Sequence, residues 1–158
     1  MTVVVGVDGS DGARAALEFA MDEAVLRRCG LRVVAVVQLP AYGFTAMAGI
    51  VPPPPTVLIE DVRAAVQQHV DEFVTTRADI VGGVPITVQA LAGKPGPVLC
   101  DAAGALDLLV VGHRGHDSVA GALLGSVGLH CVLHARCPVT VVRVGPGAAT
   151  QPGSAHQR

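Results

Sequence analysis

Aromatic side chains are scarce in this chain: three phenylalanines, one tyrosine and no tryptophan. The interior therefore has to be built from Val, Leu, Ile and Ala. Lysine is scarcer still, with Lys94 the only one, and every other basic residue is an arginine. The formal net charge of −2 gives no electrostatic case for nucleic acid or an anionic membrane as partner. No apolar run approaches the ~20 residues that a membrane-spanning helix needs. The N-terminus enters a strand pattern directly, so no signal peptide is expected. Cys29, Cys100, Cys131 and Cys137 show neither framework spacing nor a Cys-x-x-Cys pair. A structural zinc site is therefore unsupported, and a reduced, cytoplasmic protein is the simplest expectation. Gly93-Lys94 is not a Walker A loop, because Val88 stands at the first glycine position and Pro95 at the Ser/Thr position. VGVDGSDG, after the first strand, lacks dinucleotide-binding spacing.

What is present is a repeating alternation of strand and helix. At 158 residues, 51% apolar and 15% charged, the chain suits one globular domain, expected over residues 1–144. Thr2 to Asp8 reads as a Val-rich strand, followed by a turn in which Ser10 or Asp11 can cap a helix. Ala13, Ala16, Leu17, Ala20, Met21 and Ala24 give that helix one buried stripe, and Gly30 is its expected C-terminal cap. Further strands are expected at Leu31–Val37, Val84–Leu91, Leu108–Val111 and Pro138–Val144. Helices are expected at 56–81, 97–105 and 126–135. Residues 39–55 form a long proline-rich loop. Tyr42, Phe44, Met47 and Ile50 can make it a flap over the binding crevice or pack it onto the domain surface. Residues 145–158 read as a flexible tail.

Strict alternation implies an α/β fold with a doubly wound parallel sheet and helices on both faces. Such sheets bind ligands beyond the carboxyl ends of their strands, where strand order reverses. One stretch carries the most chemistry, LLVVGHRGHDSVAGALLGSV, from Leu108 to Val127. A buried strand runs into a glycine-rich loop that delivers Ser126 to a new apolar segment. Glycine permits close backbone approach, and a helix N-terminus favours an anion, so this pattern suits phosphate. The spacing G-x2-G-x9-G-S, through Gly112, Gly115, Gly125 and Ser126, is more specific than a generic turn. Ser126 can donate to phosphate, cap the helix, or both. Asp8 can accept from a ribose hydroxyl or serve as a turn aspartate bonding its own backbone. His130 and His134 lie four apart, with Cys131 and Cys137 nearby, and can form a metal corner or simply pack.

With that spacing, VVVGVDGS (Val3 to Ser10), DLLVVG (Asp107 to Gly112) and HARCPVTVVR (His134 to Arg143), the chain resembles the universal stress protein family, in particular its ATP-binding branch. The resemblance implies a single-domain, Rossmann-like five-stranded sheet of order 3-2-1-4-5, so that the loops after strands one and four converge. It further implies Asp8 near the ribose, Gly6 near the base and the Val36 backbone reading adenine. Gly112, His113, Arg114 and Gly115 would wrap the triphosphate, and Gly125, Ser126 and Val127 would close around it. Two departures stand out: Gly128 where serine is commoner, and Ala35 where histidine is frequent.

The expectation is an ATP-binding stress-response regulator, with or without Mg2+, acting as a nucleotide-responsive homodimer through strand 138–144. A slow ATPase on the same site and a nucleotide-free dimeric adapter are the alternatives. No clear general base or acidic pair for magnesium is evident, Asp8 and Asp117 being the only nearby carboxylates, so no residue is assigned a catalytic role.

Overall fold

β1 (Thr2–Val7) is the centre of the sheet, and its sequence explains why. Val3, Val4 and Val5 are all fully buried, and successive residues on a strand face opposite sides. Val3 and Val5 enter one hydrophobic core; Val4 enters another. The computed structural model describes residues 1–39, 54–113 and 124–144. Most of the 39–55 loop with its aromatic flap, Arg114 and Gly115 of the glycine loop, and the 145–158 tail lie outside the described residues.

The sheet has five parallel strands in the order β3-β2-β1-β4-β5. They are β1, β2 (Gly30–Val37), β3 (Ile86–Ala92), β4 (Leu108–Gly112) and β5 (Val139–Val142). The expected order and fold class hold. On one face α1 (Asp11–Arg27) and α2 (Pro55–Thr76) cover Val5, Leu31, Val33 and Val110. On the other, α4 (Pro95–Ala102) and α5 (Ser126–His134) cover Val4, Val34, Leu109 and Val111 with Leu99 and Cys131. Each fully buried aliphatic side chain contributes on the order of 1.5–3 kcal/mol, so two cores without tryptophan suffice.

α1 buries Ala13, Ala16, Leu17, Ala20, Met21 and Ala24, the stripe read from their spacing. Ser10 caps it, its Oγ accepting from the Ala13 N–H at 3.2 Å. The C-terminal cap is not Gly30 but Arg28, held in the left-handed region at φ 51°. The Arg28 and Cys29 N–H groups donate to Val25 and Ala24 at 3.1 and 3.0 Å, which offsets the strain of a non-glycine there. Gly30 is released into β2, opposite Thr2.

The helix expected over 56–81 is two. Arg77, at φ −126°, separates α2 from a short α3 (Ala78–Val81). Its guanidinium lies 5.4 Å from the Phe73 ring centroid and 3.1 Å from Asp22, a bridge from α2 to α1. α4 begins two residues earlier than the spacing suggested, because Pro95 rather than Pro97 takes the first helical position. β5 is also shorter than 138–144, ending at Val142.

Candidate functional site

The carboxyl ends of β1 and β4 face a cleft of about 510 Å³ at the point where strand order reverses. Gly6, Asp8, Val36, Gly112, Gly125, Ser126 and Val127 all line it. His113 is placed at its margin by backbone bonds. Its N–H donates to the Val142 carbonyl at 2.7 Å, and its own carbonyl accepts from the Gly125 N–H at 2.9 Å. The second bond closes the long loop, bringing the start of α5 beside the end of β4. Arg114 and Gly115 fall outside the described residues.

Asp8 leaves β1 into a tight turn. Its Oδ1 accepts from the Ser10 N–H at 3.0 Å and from the Ser10 hydroxyl at 2.6 Å. The turn-aspartate geometry is therefore present, and the same residue stands at the cleft. Ser10 in turn caps α1, so these bonds fix the lip of the cleft to a helix.

The glycines have identifiable steric reasons. A Cβ on Gly112 would lie 2.7 Å from the Gly12 backbone carbon and oxygen. Gly112 lets β4 end against the first turn of α1. A Cβ on Gly6 would meet Leu99 Cδ1 at 2.7 Å, so that glycine admits the α4 leucine that walls the cleft. Gly128 is buried, and a Cβ there would stand 3.0 Å from Leu124 Cδ1. A serine at 128 would press on the end of that leucine, which would have to shift by a few tenths of an ångström.

Ser126 does not cap α5. Gly125 is the N-cap residue and supplies no side-chain bond, leaving Ser126 as the first helical residue. The first N–H groups of a helix lack intrahelical partners, and Ser126, Val127 and Gly128 of this first turn line the cleft. With the helix dipole, this is a site suited to an anion.

Gln38, Lys94 and His130, none of which the sequence had placed in the cleft, also line it. Lys94 stands directly before α4, and Gln38 directly after β2. The His130 ring packs against Gly96 of α4, where a Cβ would come within 2.7 Å, and lies 4.4 Å centroid to centroid from His134. Cys131 turns away into the core, its Sγ 4.0 Å from the Gly96 carbonyl. Burial, reinforced by the neighbouring Cys100 thiol, pushes the Cys131 thiol up to about 12. Cys137 is also raised, chiefly by burial. All four cysteines are free, and among the described residues no group of three His, Cys, Asp or Glu could hold a metal ion.

This is an open doubly wound α/β protein whose switch-point cleft joins a strand-end carboxylate to an uncapped helix start. The profile of the Universal stress protein family matches residues 1–143, and the chain belongs to that family. It is 34% identical over 159 residues to Universal stress protein Rv1996 of Mycobacterium tuberculosis, covering 95% of this chain and 50% of that one. The chain spans about half the length of the curated relatives it matches. Among solved structures it is similar to the universal stress protein UspA from Lactobacillus plantarum, with TM-score 0.66 and 26% identity over 90% of this chain and 97% of that one. It is also similar to a universal stress protein solved in complex with cAMP, with TM-score 0.66, 25% identity and coverage of 90% and 96%. No helix among the described residues is long and apolar enough to cross a membrane.

Proposed function

We propose that this chain is an ATP-binding regulatory protein of the stress response, acting as a nucleotide-responsive homodimer in a reducing, cytoplasmic setting. One observation carries the reading: the Asp8 end of β1 and the uncapped start of α5 line a single cleft. The related protein that holds cAMP supports a nucleotide as the ligand class. Asp8 would accept from the ribose, Gly6 and the Val36 backbone would border the base, and the first turn of α5 would hold phosphate. Gly112, His113, Arg114 and Gly115 would complete the phosphate side.

Asp8 is the only carboxylate lining the cleft among the described residues. A Mg2+ ion accompanying ATP would therefore rely mainly on phosphate oxygens and water. For the same reason hydrolysis would be slow, and ATP acts as a bound signal. The dimer would form through β5, the edge strand next to β4. Leu129, Val132 and Leu133 of the adjoining α5 are 48%, 51% and 65% exposed, which extends the apolar edge that a second copy would cover.

Denaturing the purified protein and separating what it releases tests the proposal. A near-stoichiometric adenine nucleotide, or its saturable uptake by nucleotide-free protein, supports it. Neither release nor uptake contradicts it.

A further inference from the structure

Two histidines of α5 have no task in the reading above. His130 and His134 stand one helical turn apart, and their ring centroids lie 4.4 Å from each other with the planes tilted by 46°. Neither ring has a hydrogen-bond or ion-pair partner among the described residues. His130 is held from one side, since a Cβ on Gly96 of α4 would lie 2.7 Å from its Cγ and Cδ2. His134 is exposed at the end of the same helix. One imidazole is thus set by the packing of α4 on α5, and the other is open to solvent beside it.

The separation of the rings decides what the pair can hold. A metal-bound imidazole nitrogen lies about 2.0–2.1 Å from the ion, with the ring centroid about 1.1 Å beyond it. Two imidazoles at right angles about one ion therefore put their centroids about 4.5 Å apart. The observed 4.4 Å means that the backbone already holds the two rings at a chelating separation. Histidines at i and i+4 are also the spacing by which one helix face offers two imidazoles to a zinc ion. Cys131, between them, points into the core, and among the described residues no third His, Cys, Asp or Glu joins the pair. A donor set of two imidazoles suits Ni2+, Cu2+ or Zn2+, whereas Mg2+ and Ca2+ take oxygen ligands. Water would fill the remaining positions, which makes the ion exchangeable.

We propose that His130 and His134 chelate one divalent metal ion of the nickel, copper and zinc class across a turn of α5. The site does not depend on the nucleotide reading, and it is separate from any Mg2+ carried by ATP. Its consequence falls on α5. That helix has nine residues, no side-chain N-cap bond and a glycine at 128, so its own sequence holds it weakly. An ion bridging its last turn steadies the helix whose start lines the cleft.

The test is titration calorimetry of the full chain with NiCl2 at about pH 7.5, beside His134→Gln, His130→Gln and the double variant. His69, His113, His116 and His156 remain in every protein and supply the background. The parent should bind one Ni2+ more tightly than that background. His134→Gln should weaken this binding about tenfold or more, and the double variant no further, because one imidazole of a pair cannot chelate. His134 is exposed, so His134→Gln should fold, which circular dichroism checks, even if His130→Gln disturbs the contact with Gly96. Ni2+ binding by the parent no tighter than by the double variant overturns the inference. So does parent-like affinity in His134→Gln, and so do single losses that sum to the double, which mark two independent histidines. Mg2+ bound as tightly as Ni2+ would equally contradict an imidazole site.

Discussion

Gly112 ends β4 against the backbone of Gly12, so close that a Cβ at 112 would sit 2.7 Å from the Gly12 carbonyl. The first glycine of the G-x2-G-x9-G-S pattern is thus required by packing between two elements of the fold. The same contact brings the two loops of the cleft together. At Gly6 the obstacle is the end of a leucine side chain, which can move; at Gly112 it is backbone, which cannot. Gly112→Ala should therefore destabilise by about 1–3 kcal/mol, and Gly6→Ala by less. Urea unfolding curves for the two variants check the order, and the reverse order would contradict this explanation.

Asp107 ties the chain start to the turn before β4. Its Oδ1 accepts from the Thr2 N–H at 2.7 Å and its Oδ2 from the Gly104 N–H at 3.0 Å. Asp107→Ala leaves both donors without this acceptor and should cost about 1–3 kcal/mol. Asp107→Asn keeps one oxygen and should cost less. Equal midpoints for parent and Asp107→Ala in thermal unfolding would exclude this role.

Cys131 is fully buried, and its thiol is raised from 9.0 to about 12. A raised folded value means that the folded state holds the proton more tightly than the unfolded one. Its contribution is complete below about pH 9 and is lost as pH climbs toward about 12. The parent should lose more stability between pH 8.5 and 10.5 than Cys131→Ala does, although the variant is less stable at neutral pH. Identical pH slopes for the two proteins would contradict the assignment. Native Cys131 should also resist alkylation at pH 8, because little thiolate is present and its sulfur is covered.

In β5 the carbonyls of Pro138 and Val142 accept from Leu109 and His113 at 3.0 and 2.7 Å. Even-numbered residues thus face β4, which leaves the Val139 and Val141 backbone groups on the open edge. Val141→Pro removes an edge N–H without removing a donor to β4, a placement proline tolerates on edge strands. It should convert the proposed dimer into a folded monomer by sedimentation equilibrium. A parent that is monomeric at tens of micromolar, or a dimeric Val141→Pro, would contradict pairing through this strand.

Much of this was legible because buried parallel strands and alanine-rich helices write their periods plainly, as Val3–Val5 and the α1 stripe do. The strand order came from the family resemblance, since spacing alone constrains topology without choosing one. What stayed hidden was decided by contacts distant in sequence. Arg28 replaces Gly30 as the cap because carbonyls of α1 hold it there, while Gly30 is drawn into pairing with Thr2. Arg77 breaks the long helix while bridging to Asp22 on α1. Lys94 had no assignable place until the fold put it along the cleft. The glycine loop was read for its chemistry, whereas the steric reasons for Gly6 and Gly112 appear only once their neighbours do.

The most direct test of the nucleotide cleft is the ATP affinity of Ser126→Asp, measured by titration calorimetry beside the parent. Ser126 is the first residue of α5, a position where a carboxylate favours the helix dipole, so the variant should be as stable as the parent or more so. The same carboxylate would face the phosphates. The account predicts an intact or raised melting temperature together with at least a ~tenfold loss of ATP affinity, as like charges in a partly desolvated site require. A stable Ser126→Asp protein that binds ATP as tightly as the parent would contradict phosphate binding at the start of α5.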